Sequence, residues 1–173
     1  MTLNTTAGDE LADSYVTIEE FTDHASSFGY NITNYDTNTI EQACRRGTRW
    51  IDVTYGNRFI GKVANINQSL EWPRIEAIRR EMALDSTTIP KQVKNATSEA
   101  IWRELTAPNS LSPDYVLANA IKQEQVGNLS VTYKDGTGSV DDVTPIIPII
   151  DNLLNGLISA KERPALFGRC ERA

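Results

Sequence analysis

The segment Thr88–Thr106, TIPKQVKNATSEAIWRELT, constrains this chain most. At about 100° per residue, Ile89, Val93, Ala96, Thr97, Ala100, Ile101 and Leu105 share one face, and Lys91, Asn95, Ser98 and Glu99 fall on the other. That spacing predicts a helix with one buried side. Pro90 suits the first turn, where a missing N–H costs nothing, and Thr88 stands where a cap is needed. Ala96 and Ala100, central on the stripe, let a second helix come close. Trp102 lies at its edge, as a shoulder of the core or as a contact with another chain.

The second helix is expected from Thr39 to about Tyr55, with Ile40, Ala43, Cys44, Gly47, Trp50, Ile51 and Thr54 on its apolar side. Gly47 within that stripe weakens the helix, so its use is close helix packing. Arg45, Arg46 and Arg49 cluster opposite, either as a phosphate or partner contact or as a solvated face beside Glu41 and Asp52. Upstream, Thr17 and Glu20 form a capping box for a short helix lined by Ile18, Phe21, Ala25 and, at its end, Phe28, which Gly29 stops. A last helix begins near Pro148, with Ile150, Leu153, Leu154, Leu157 and Ile158 at amphipathic spacing.

Between these helices the signals are weaker. Trp72 precedes a proline, which favours an extended backbone and a plug over the edge of the core. Residues 74–87 read as irregular, with at most one helical turn at Glu76–Met82. Residues 121–126 and 128–133 read as extended, the second alternating strictly, with Gly127 marking a bend or bulge rather than a tight hairpin. The fold expected is mainly α: a small helical bundle with a short extended β segment or hairpin and an extended C-terminal tail. Residues 1–13 read as a loose arm, 14–160 as the helical domain and 161–173 as the tail. The core candidates are Trp50, Trp72, Val93, Ala100, Ile101 and Leu154.

The chain has 173 residues, enough for one domain with a real core, and a net charge of −6. That charge opposes non-specific DNA binding, which needs a basic footprint. No apolar run approaches a membrane span, and the N-terminus does not read as a signal peptide. Cys44 and Cys170 belong to no CxxC pair and read as reduced thiols. His24 is the single histidine, so a His-based metal site or triad lacks parts, and a bland surface or boundary role is expected. Asp135-Gly136-Thr137-Gly138 lacks the lysine and glycine spacing of a phosphate loop. With no nucleophile elbow, zinc spacing or dinucleotide fingerprint, neither a reaction nor a cofactor is expected.

The tail Lys161–Ala173, KERPALFGRCERA, sets Leu166 and Phe167 among arginines. Arg163, Leu166, Phe167 and Arg169 read as a docking peptide. The other reading is a remnant with no partner.

Four segments in fixed order resemble the head–tail connector (adaptor) proteins of tailed bacteriophages, a family that often carries the label "DnaT-like single-stranded DNA-binding protein". They are Ala12–Glu20, ADSYVTIEE; Ala43–Tyr55 followed by Leu70–Arg74, LEWPR; Ile89–Glu99, IPKQVKNATSE; and Val126–Tyr133, VGNLSVTY. The resemblance spans roughly residues 12–158 and departs at 63–69, 107–119 and 134–142. It implies a mostly helical protomer in a twelve-fold ring under the portal of the virion neck, with DNA passing through its centre. It also implies a C-terminal segment that grips the portal and a lower face that receives a tail or head-completion protein. The competing expectation is a single-stranded-DNA-binding replication accessory, which would need a basic, aromatic-lined groove.

Overall fold

A computed structural model describes residues 2–112, 123–126, 129–132 and 147–159. Among these, four α-helices run in chain order: α1 (Ile18–Phe28), α2 (Thr37–Tyr55), α3 (Lys91–Thr106) and α4 (Pro148–Leu154). Three antiparallel pairs accompany them. These are β1 (Lys62–Val63) with β2 (Arg74–Ile75), β3 (Ile78–Arg79) with β4 (Met82–Ala83), and β5 (Gln123–Val126) with β6 (Leu129–Thr132). The architecture is helix-rich and mixed.

Local chemistry explains several of the helix ends. Thr17 accepts from the Glu20 amide while the Glu20 side chain accepts from the Thr17 amide, the reciprocal box expected for α1. Gly29, at φ 73°, closes α1 in the left-handed region that glycine tolerates. α2 starts two residues before the expected Thr39 because the Asp36 carboxylate caps it at 2.8 Å from the Thr39 amide. α3 begins at Lys91, with Pro90 at the cap position and no side-chain cap, so Thr88 does not play the role its position suggested. α4 is shorter than its apolar periodicity implies. Gly156 turns at φ 84°, and Ile158 leaves the helical path to bridge Phe59.

The core lies between α2 and α3, with α4 against α3 and α1 across both. Trp50, Trp72, Val93, Ala100, Ile101 and Leu154 are all buried. Gly47 is the point of closest approach: a Cβ built there would stand 2.9 Å from Ile101 Cγ1 and 3.1 Å from the Ile101 amide nitrogen. A methyl group at Gly47 would therefore hold the two helices apart.

Several expectations are corrected. Residues 2–13 are not a loose arm. The Asn4 amide bonds Asp13 Oδ1 at 2.8 Å, the Asp13 amide bonds the Asn4 carbonyl at 2.9 Å, and Ser69 donates to the carbonyls of Asp9 and Ala12. The Asn4–Asp13 bonds fold the segment on itself, Ser69 ties it to the domain, Ala12 is buried and Leu3 packs against the core. Trp72 is no plug at the rim. It is 1 % exposed, follows the core inward and packs edge-on to Phe59, and its bond to Pro73 is cis. Residues 74–87 hold β2 and the β3–β4 hairpin instead of a helical turn. β5 and β6 pair directly in antiparallel register, Val126 opposite Leu129, whereas the sequence suggested a bend or bulge between them.

Candidate functional site

The arginine cluster divides once placed on α2. Arg45 Nε donates to Asp13 Oδ2 at 2.7 Å and its Nη1 stands 3.5 Å from Glu41, and the Asp13 bond raises its pKa further. Arg46 Nε donates to Glu104 Oε1 at 2.7 Å, a carboxylate that is itself buried and also accepts from the Asn109 amide. Arg49 makes no ion pair among the described residues. Two of the three cations are therefore spent inside the chain, which lowers their worth to any polyanion.

The outward stripe of α2 is Gln42, Arg46, Arg49 and Val53, spaced at 4, 3 and 4 residues. Val53 is 75 % exposed, an apolar side chain on a polar face. A groove runs along each side of this ridge. One, of about 400 Å³, is lined by Arg46, Arg49, Trp50, Val53, Glu104, Asn109 and Leu111. The other, of about 390 Å³, is lined by Asp13, Arg45, Arg49, Asp52, Val53 and Leu70. The first has an apolar floor and a cationic rim; the second mixes both signs. The sequence gives one usable signal for this site, Val53 falling one helical turn beyond Arg49.

A second polar cluster joins α1 to α3. His24 Nε2 lies 2.9 Å from Glu99 Oε1, and the Tyr30 hydroxyl donates to Glu99 Oε2 at 2.9 Å. Tyr30 stacks on Trp102 with ring centroids 4.6 Å apart and planes 1° from parallel. Glu99, assigned to the polar face of α3 by its spacing, is buried because these two groups satisfy it. His24 is correspondingly a bonded boundary residue, and Trp102 is a shoulder of the domain. Burial and the Glu99 carboxylate push the Tyr30 hydroxyl up. A shallow depression of about 550 Å³ beside this cluster is lined by Glu20, Asp23, His24, Phe28, Lys91 and Lys94, with Lys94 paired to Glu20.

A third cluster is structural. The Tyr15 hydroxyl donates to Asp52 Oδ1 and accepts from the Trp72 amide at 3.1 Å, while the Glu71 amide bonds Asp52 Oδ2 at 3.2 Å. Burial pushes the Asp52 carboxyl up to about 6 and the Tyr15 hydroxyl well above its ordinary value. Arg74, nearly buried, donates to the carbonyls of Ile60, Gly61 and Glu71 and to Glu71 Oε2. These bonds fix the loop around Trp72 and leave no open carboxylate pair for acid–base work.

Among the described residues no group of His, Cys, Asp and Glu is placed to hold a metal ion, and no helix is long and apolar enough to cross a membrane. Cys44 is a buried free thiol pushed up to about 12 by its burial. The tail residues Arg163, Leu166, Phe167 and Arg169, the Asp135–Gly138 turn and Cys170 lie outside the described residues. No curated protein and no solved structure matches the chain. A family model does, over residues 1–173, and the chain belongs to the family it describes, "Putative DnaT-like ssDNA binding protein".

Proposed function

We propose that the chain is a structural head–tail connector (adaptor) of a tailed bacteriophage virion. In this reading it forms a ring under the portal, extends the DNA channel and joins the head to the tail. The supporting observation is the negative balance of the chain, with part of its positive charge already paired internally. Arg45, Arg46, Lys62, Arg74 and Lys94 each face a carboxylate of the same chain, and the chain as a whole carries −6. Held single-stranded DNA needs free cations interleaved with exposed aromatic faces. Here Trp50 and Trp72 are core residues and Tyr30 covers one face of Trp102, while Phe28, exposed beside Lys91 and Lys94, is the bare aromatic the second reading would use. A ring of such protomers would repel phosphates at short range, and beyond ~8 Å physiological salt screens it, so DNA would slide without being gripped. The neighbours in this reading are the portal above, bound through Arg163, Leu166, Phe167 and Arg169, and a tail or head-completion protein below. It calls for no cofactor and no catalytic step.

A single-stranded-DNA-binding replication accessory is the second reading, and the description of the family favours it. Two measurements separate them. Fluorescence anisotropy of a labelled oligonucleotide with the full chain should show no tight binding at physiological salt. Electron microscopy of assembled particles should show a ring at the portal. Tight binding that weakens steeply with salt, without a ring, would establish the replication reading instead.

A further inference from the structure

We propose that the β3–β4 hairpin of one copy seats in the groove between α2 and α3 of the next copy, joining identical chains head to tail. The proposal rests on the adaptor reading and names the contact that would build its ring.

The hairpin is shaped for contact at some cost to the fold. Its two turn residues, Arg80 at φ 50° and Glu81 at φ 65°, both occupy the left-handed region. A two-residue hairpin turn of that kind normally uses Asn-Gly or Asp-Gly, because glycine bears the positive φ without strain. Arg and Glu here give up stability and place two charged side chains at the tip. Ile78 and Met82 beside them are 61 % and 70 % exposed. Ile78 and Met82 fall on opposite faces of the hairpin, and Met82, beside the tip, is the bare apolar side chain offered with Glu81 to a partner.

The groove beside α2 has the complementary chemistry. Trp50, Val53 and Leu111 supply an apolar floor and Arg46 and Arg49 the rim. A flexible methionine suits an irregular pocket edged by an aromatic ring, so Met82 fits the floor. Glu81, adjacent in sequence, then reaches the rim, where Arg49 makes no ion pair among the described residues. The demand is for a single negative charge beside an apolar group. A nucleic-acid strand fits poorly, because Glu104 lines the same groove and Asp13 and Asp52 line its neighbour. None of the hairpin residues lines either groove, so tip and groove are different surfaces of the protomer. Such a contact is heterologous: it repeats from copy to copy and closes only if the rotation closes.

The test follows assembly of the full chain by sedimentation and mass photometry over a range of concentrations. Met82→Asp, Arg49→Glu and Glu81→Arg alter exposed side chains, so circular dichroism should stay that of the wild type. Each should raise the concentration needed for assembly about tenfold or more, as loss of an interface anchor does. The double variant Arg49→Glu with Glu81→Arg should recover most of the loss. Glu81→Gly should raise the melting temperature while weakening assembly, since it relieves the turn and removes the carboxylate. If the wild type assembles and Met82→Asp and Arg49→Glu assemble equally well, the contact is wrong and the adaptor reading stands. If both charge variants weaken assembly and the double variant does not recover, the pairing of tip with groove is wrong. A wild-type chain that stays monomeric at its highest soluble concentration overturns the self-contact, and microscopy of the particle then judges the ring separately.

Discussion

Replacing Gly47 with alanine pits two effects of known size against each other. Alanine in a helix interior is favoured over glycine by about 1 kcal/mol. Against this, the new methyl would stand 2.9 Å from Ile101 Cγ1, 3.1 Å from the Ile101 nitrogen and 3.4 Å from its Cα. The side-chain contact can be relieved by a rotamer change, but the two backbone atoms belong to the middle of α3 and move only with the helix. Overpacking of this kind costs roughly 1–3 kcal/mol, and the backbone contacts put Gly47→Ala in the upper part of that range. The net expectation is a loss of about 1–2 kcal/mol, a fall in melting temperature of about 2–8 °C for a chain of this length. Urea unfolding followed by tryptophan fluorescence and by circular dichroism measures it. Ile101→Ala alone should cost roughly 2–5 kcal/mol. In that background Gly47→Ala should cost less, because Cγ1 is gone, giving a coupling of about 1 kcal/mol in a double-mutant cycle. A Gly47→Ala protein as stable as the wild type, or more so, would refute the close α2–α3 contact.

Burial raises the Asp52 carboxyl from 3.8 to about 6, so the folded state holds this proton more tightly than the unfolded one. Its contribution to stability is complete below about pH 4 and is lost as pH rises through about 6. Relative to Asp52→Asn, the wild type should therefore weaken by up to roughly 3 kcal/mol between about pH 4 and pH 7, read from urea midpoints at each pH. Glu99→Ala strands His24 and the Tyr30 hydroxyl and should cost about 1–3 kcal/mol, with a change in Trp102 fluorescence as the Tyr30 stack loosens. Cys44 should resist iodoacetamide in the folded protein at neutral pH and react once urea unfolds it, scored by peptide mass at that residue.

How much of this was readable without coordinates depended on the reach of each interaction. The Thr17–Glu20 box and the Gly29 stop are four-residue events, and Gly47 announces itself as a glycine on an apolar stripe. The buried state of Glu99 depends on His24 and Tyr30, 75 and 69 positions away, and no periodicity in α3 contains them. The N-terminal segment looked loose because it carries only two short apolar contacts, Leu3 and Ala12, and its other tie is the side chain of Ser69, far along the chain. The β3–β4 hairpin was hidden for a different reason: Arg80–Glu81 is a poor sequence for the turn it makes. The groove beside α2 was half legible. Three arginines were visible as a cluster, but which of them kept its charge for outside use was decided by Asp13 and Glu104, 32 and 58 positions from the arginines they bond.

The Tyr15 hydroxyl bears on how this domain opens. It touches Asp52 on α2 and the amide of Trp72, while Ser69 reaches back to the carbonyls of Asp9 and Ala12. Segments more than fifty residues apart are thereby latched to one another, so neither can detach while the other stays closed. Native-state hydrogen exchange should find residues 4–15 and 69–74 protected to the same degree and released by one sub-global opening, slower than any frayed end. Tyr15→Phe would remove one of these ties and leave Ser69 as the other, so the Trp72 amide should exchange ahead of residues 4–12.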